Sequence, residues 1–386
     1  GIVAIVLLIA IILVVDILCA TYSQLIALYF RGDTGTTEVA QEALAASGDF
    51  TVKEEAEGLV MLKNDDDALP LKNVSKVNLF GMLTAKQIFM GTGSAGGFNW
   101  DEDNFLYLDA ALKEKNITAN PDLWDFYAGQ EGNASGTAGS VTDMQGSTHS
   151  IIELPMDTEG YDEVLEDAKA YSDTAIVVVG RAGGEGSDAV MDMTPYEAAG
   201  RVGTTKYNVG GDPGKHYLEL MDTELALIDH VKANYKNVIV LVNTPMPIEL
   251  GFVDEDENTG ANTVGDIDAA LWIGLPGSTG NRGVVQVLTG EVSPSGRLPD
   301  TWAYEMESSP TYYNFGDYTY DVSGISGAEG ATKYLNYEEG IYVGYRWYET
   351  ANAEGVVLND IGNYQYKNAT NANLTADASN PGGYEG

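Results

Sequence analysis

The stretch "TAIVVVGRAGGEGSD", residues 174–188, decides the fold. Its apolar part is β-branched, does not alternate and stops at Gly180, which is how a strand covered on both faces of a parallel sheet reads. Three other runs share that character: "KVNLFG" (76–81), "NVIVLVN" (237–243) and "AALWIG" (269–274). Between the second and third strands, "YLELMDTELALIDHVKANY" repeats apolar residues at Leu218, Met221, Leu225, Ile228 and Val231, the spacing of an amphipathic helix. After the fourth, "GSTGNRGVVQVLTG" predicts a second helix capped by Ser278 or Thr279 and closed at Gly290. Strands alternating with helices predict an α/β fold, a doubly wound, mostly parallel sheet sandwich. Such sheets bind ligands beyond the carboxyl ends of their strands. Glu185 falls at that edge.

A general acid needs a carboxyl group in a partly desolvated cleft, so that its proton affinity rises toward working pH, with small neighbours that let substrate approach. Gly183, Gly184 and Gly186 meet the second need. Asp188 either raises the proton affinity of Glu185 by repulsion or hydrogen bonds a ligand hydroxyl. The plainer reading is a solvated turn whose acids keep it soluble. Similarly, "GTGSAGG" (91–97) matches the spacing of a dinucleotide fingerprint but is not set directly between a strand and a helix, so that reading is rejected. It is either a surface loop or a ligand loop in which Phe98 and Trp100 offer aromatic faces to a sugar ring.

His149, His216 and His230 show no ligand spacing, and the acidic runs "NDDDA" and "DEDEN" lack the full series of a calcium loop. No metal or other cofactor is called for. No Gly-x-Ser-x-Gly elbow or Walker loop occurs, which weakens acyl and phosphoryl transfer. Among 386 residues, 58 acidic against 20 basic side chains give a net charge of -38, which repels nucleic acid and favours a neutral or cationic ligand. The only cysteine, Cys19, lies in the first apolar run, so the folded part has neither disulfide nor thiolate metal site.

That first run suits a transmembrane anchor over residues 1–30, with Asp16 tolerable near an interface; a cleaved signal peptide is the alternative. The acidic remainder predicts a single-pass protein of the cell membrane with its bulk outside the cell. A polar stalk follows over 31–51, then a sandwich domain over 52–305. "TVKEEAEGLVMLKNDDDALPL" offers a helix through Glu57 and Leu62 closed by a turn. From 306 to 386 a Tyr, Gly and Asn-rich extension carries a β segment near 340–349, "GIYVGYRWYE", and ends in linker-like sequence.

The stretches "EGLVMLKNDDDALPL", "VNLFG", "GTGSAGG", "AIVVVGRAGGEGSD", "VIVLVNTPMPIEL", "LWIGLPGSTGNRGVVQVLTGEVSPSGRLPDT" and "YEEGIYVGYRWYE", in that order, resemble the α/β sandwich domain of glycoside hydrolase family 3. The resemblance implies β-glucosidase-like, retaining hydrolysis of a β-linked oligosaccharide or glycoside. It also implies that the acid/base glutamate falls on Glu185 and that the Phe98 and Trp100 loop borders the leaving-group subsite. The family's aspartate nucleophile sits on a (β/α)8 barrel and its motif has no counterpart here. Membrane anchor followed by sandwich resembles members with reversed domain order, so the chain reads as a fragment lacking the barrel, inactive alone. A non-catalytic carbohydrate-binding module at the cell surface is the reading from another class.

Overall fold

The computed structural model describes residues 1–22, 37–65, 67–91, 105–130, 151–184, 189–191, 193, 211–253, 267–312, 319–321, 331–333, 339–355, 375–376 and 384–385. Two compact units divide between Phe50 and Thr51. The first holds helix α1, Ile2–Thr21, and the beginning of α2, Glu38–Gly58. Ile2, Leu8 and Ile11 of α1 are exposed. Over the described residues no helix is long and apolar enough to cross a membrane. α1 spans 20 residues, and several of its side chains lie outside the described residues. The stretch read as a stalk is helical from Glu38, where alanines favour helix and Thr37 Oγ1 accepts the Ala40 amide at 3.2 Å.

The second unit is built on one six-stranded sheet of β1 (Val60–Asn64), β2 (Lys76–Phe80), β3 (Thr118–Ala119), β4 (Thr174–Gly180), β5 (Asn237–Asn243) and β6 (Ala269–Trp272). Their order is β1-β6-β5-β4-β2-β3, and every pair is parallel except β1 with β6. The four strands expected from sequence are its centre. β4 is buried along its whole length, which is why it reads as an unbroken apolar run.

Helices surround the sheet: α3 (Met82–Ala85), α4 (Leu108–Glu114), α5 (Pro121–Ala128), α6 (Tyr161–Tyr171), α7 (Asp222–Asn234), α8 (Asn281–Leu288) and α9 (Tyr345–Glu354). Buried Val231, Ile239, Val284 and Leu288 belong to the main core cluster with β4 residues such as Val177. Two buried asparagines inside it are well matched by hydrogen bonds. Asn78 of β2 donates to the carbonyls of Ala168 and Ser172 and accepts from Asn120 Nδ2, at 2.9, 3.0 and 2.9 Å. Asn243 at the end of β5 likewise exchanges bonds with both backbone groups of Ile88 and donates to Gly274 O. A side chain at Gly180 would meet Asn243 O at 2.0 Å, so only glycine fits where β4 ends.

Four local expectations are corrected. The first helix does not reach Leu62: it ends at Gly58, and "VMLKN" pairs with β6 as an antiparallel edge strand, because helical continuation would forfeit that ladder. The cap of α8 is Gly280, not Ser278 or Thr279, and the last residue before its left-handed Gly290 is Thr289. α7 starts at Asp222, so Leu218 and Met221 precede it; Glu224 reaches back to the Met221 amide at 2.8 Å and fixes that start. "GIYVGYRWYE" is not a β segment. Gly344 turns the chain at φ 59, and α9 follows with Trp347 and Ala351 buried four residues apart, a helical rather than an alternating spacing.

Candidate active site

Strand β2 has β3 on one side and β4 on the other, so the chain reverses direction across the sheet between β2 and β4. The crevice beyond their carboxyl ends is where open α/β sheets bind ligands. From β4 the backbone enters it as Gly180, Arg181, Ala182, Gly183 and Gly184. Glu185 and Asp188 themselves lie outside the described residues, as do Phe98 and Trp100 and the glycines Gly93 and Gly96.

What is described is how tightly that loop is held at both ends. Arg181 is fully buried. Its guanidinium forms a two-pronged ion pair with Glu224 of α7, at 2.7 and 2.8 Å, and donates further to Gly180 O, Tyr217 O and Glu219 O. Burial works against the guanidinium charge, but the Glu224 contact outweighs it and the Arg181 pKa is raised. A pair with every donor used is stable in place; losing one member leaves a buried charge, at a cost of about 3–5 kcal/mol.

Tyr217 closes the clasp. Its hydroxyl donates to Ala182 O at 2.8 Å, before Glu185, and its amide donates to Val190 O at 2.9 Å, after Asp188. One residue therefore pins both flanks of the stretch 185–188. Burial first of all pushes its phenol pKa up, so it stays a donor. Gly183 packs so closely that a Cβ there would meet Met246 Cε at 1.8 Å. The glycines that sequence reading assigned to substrate access also serve close packing.

Three further acids stand near this crevice. Glu153 is buried, accepts the amides of Leu154 and Met82 at 2.9 and 3.0 Å, and is pushed by burial up to about 7. A cavity of about 10 Å³ lined by Glu153, Glu224 and Gly180 has room for about one water. Beyond it, His216 Nε2 lies 2.9 Å from Glu249 Oε1 and 3.5 Å from Glu219 Oε1. Burial raises the Glu219 carboxyl to about 7.

These three donors lie within 4.8 Å of one another, close enough in principle for a cation. The ring argues for a proton instead. Leu218 donates its amide to His216 Nδ1 at 3.2 Å, which leaves Nε2 as the N–H end, facing Glu249. A metal on Nε2 would shift the proton to Nδ1, against the Leu218 amide. Burial disfavours the imidazolium, but the Glu249 hydrogen bond and the nearby carboxylates outweigh it and raise the pKa.

His216 also lines a cavity of about 460 Å³, together with Val190 and Met191 from the downstream flank of the loop and with Asp300, Tyr312 and Tyr348. That volume is in the range of small-molecule sites, about 300–1,000 Å³. Tyrosine faces beside carboxylates suit a ring that carries hydroxyls.

Sequence reading placed Glu185 and Asp188 at the sheet edge but found neither Arg181, Tyr217, Glu224, Glu153 nor the His216 group. The one local signal was "HYLE", which sets His216 and Glu219 three residues apart.

A mostly parallel α/β sheet with a crevice at its switch edge defines the fold class. The chain belongs to glycosyl hydrolase family 3: the model of that family's C-terminal domain matches residues 59–345. It is 30% identical over 300 residues to a beta-glucosidase of Ruminococcus albus, covering 76% of this chain and 25% of that protein. Beta-glucosidase A of Butyrivibrio fibrisolvens is 29% identical over 298 residues, covering 76% of this chain and 31% of that one. Among solved structures, beta-glucosidase 3B from Thermotoga neapolitana in complex with glucose matches with a TM-score of 0.56 at 26% identity, over 80% of this chain and 37% of that one. The chain thus spans about a quarter to a third of the length of these curated relatives.

Proposed function

We propose that this chain supplies the general acid/base half of a β-glucosidase-like active site, with Glu185 as the proton donor. Family membership and the names of its relatives support the reaction class. The observation that carries the role is the clasp: Arg181, Tyr217 and Glu224 hold both flanks of 185–188, as a group that must meet a glycosidic oxygen requires.

In the proposed reaction the Glu185 carboxylic acid protonates the glycosidic oxygen as a carboxylate from a (β/α)8 barrel of the same gene product attacks the anomeric carbon. Two carboxyls about 5–5.5 Å apart retain the configuration. Glu185, now ionised, takes a proton from the water that releases the sugar. Asp188 binds a sugar hydroxyl, and Phe98 and Trp100 stack on the departing group. The substrate is a β-linked glucoside or oligosaccharide. The apolar run of residues 1–30 anchors the protein in the cell membrane with the bulk outside, a reading that rests on the sequence alone, since no helix of the described residues is long and apolar enough to cross a membrane.

In the full-length protein, Glu185→Ala abolishes cleavage of cellobiose by several orders of magnitude, while azide restores turnover of an activated aryl glucoside. Cellobiose hydrolysis at the native rate in that variant overturns the assignment. Extraction of membranes at alkaline pH tests the anchor: release of the protein into the supernatant rejects it.

A further inference from the structure

A second loop leaves the same edge of the sheet, after β6, and beneath it lies a cavity of about 310 Å³. One wall is the last turns of α2, with Glu54, Glu55 and Leu59. The other is Trp272 and the backbone of Gly274 and Pro276. The volume reaches the small-molecule range, about 300–1,000 Å³. Among the described residues no basic side chain lines it.

Glu55 is the unusual member. Its Oε1 is shut off from solvent and has no hydrogen-bond partner among the described residues. A buried carboxyl that makes no bond costs free energy, and natural structures keep such groups only with a reason. Burial alone pushes it up to about 8, with no hydrogen bond and no charge acting on it. On its own helix, Lys53 is turned to Glu57 in an exposed pair. α8 packs against it at Gly283, where a Cβ would meet Glu55 Cβ at 3.0 Å, and the neighbouring Arg282 is held by Glu114 at 2.8 Å through two bonds. The loop 272–277 brings no charge at all. The last torsion of a glutamate is roughly two-fold, so either oxygen can be presented to the cavity.

We infer that this cavity is a binding site for a small organic cation, a primary ammonium on a compact ring or apolar body, with Glu55 as its counter-ion and Trp272 as its aromatic wall. The charge meets a carboxylate and an indole, the two groups that best stabilise a desolvated ammonium. The body of the ligand lies against Leu59 and Pro276. Glu54 at the rim and the strongly acidic protein as a whole draw cations toward the opening.

Entry of the cation requires Glu55 to give up its proton. Below pH 8 each ligand bound therefore releases about one proton, and affinity rises about tenfold per pH unit. Calorimetric titration of the 386-residue chain with benzylamine at pH 6 and pH 7 tests this, with benzyl alcohol as the uncharged probe of the same shape. The expected results are benzylamine affinity about tenfold higher at pH 7, heats that vary with the ionisation enthalpy of the buffer, and benzyl alcohol binding at least tenfold more weakly. Glu55→Gln removes both the pH dependence and the proton release, whereas Glu163→Gln, an exposed change on α6 away from the cavity, preserves them. Benzyl alcohol binding as well as benzylamine, a pH-independent benzylamine affinity, or no benzylamine binding up to millimolar concentration overturns the inference.

Discussion

The loop after β4 and the loop after β6 leave the same edge of one sheet and treat a buried charge in opposite ways. At the first, Arg181 meets a carboxylate and three carbonyls, so its charge is kept and the backbone beside it is fixed. Beneath the second, Glu55 has an oxygen with no partner among the described residues, and burial holds its proton on up to about pH 8. Burial alone therefore says little about ionisation. The number and sign of the partners decide whether a group stays charged and rigid or stays neutral and open to a ligand.

The comparison breaks most readily at Arg181. Arg181→Met leaves Glu224 buried without its partner and is expected to cost about 3–5 kcal/mol, read as a lower denaturant midpoint with unchanged slope. The double variant Arg181→Met with Glu224→Met should recover much of that loss, since both charges are gone. If the single variant costs under about 1 kcal/mol, the clasp is not what holds the loop.

Glu153 sharpens the contrast because it has partners and yet is shifted up. Its folded-state pKa of about 7 lies above the ordinary carboxyl value of 4.5, so the native state holds the proton more tightly than the unfolded one. The resulting stability is fully present below about pH 4.5 and is lost as pH rises through about 7, up to ~3 kcal/mol in all. Glu153→Gln should flatten thermal stability across that window, measured by melting at pH 5, 6, 7 and 8. A wild-type profile already flat there rejects the shift.

Glu55 should behave in the same direction over a window that extends to about pH 8. Glu55→Gln is expected to raise the melting temperature at pH 8 and leave it unchanged at pH 4. The smallest effect belongs to the exposed pair of Arg282 with Glu114. It has two-pronged geometry like Arg181 with Glu224, yet Glu114→Gln should cost under about 1 kcal/mol and less in high salt, because water screens it.

The four central strands were legible because each is a short, uninterrupted β-branched run, and parallel burial on both faces writes itself locally. The edge strand at Val60–Asn64 was not, since an apolar stretch joined to a helix keeps a helical look until a partner strand is known. "GIYVGYRWYE" misled for the mirror reason: its alternation ends at Gly344, and Trp347 with Ala351 takes over at helical spacing. In the candidate site, the glycine-flanked acid was visible in the sequence. Its support was not, because Arg181 meets Tyr217 at a separation of 36 residues and Glu224 at 43, and Glu153 meets Met82 at 71.

By itself the sequence determined the α/β class and the sheet's parallel centre, both of which follow from patterns a few residues long. Only the tertiary structure decided which charges are paired, which are left alone and where the cavities lie. Side-chain periodicity is a local property of the backbone, whereas the ionisation of a buried group depends on what distant segments bring to within about 3 Å of it.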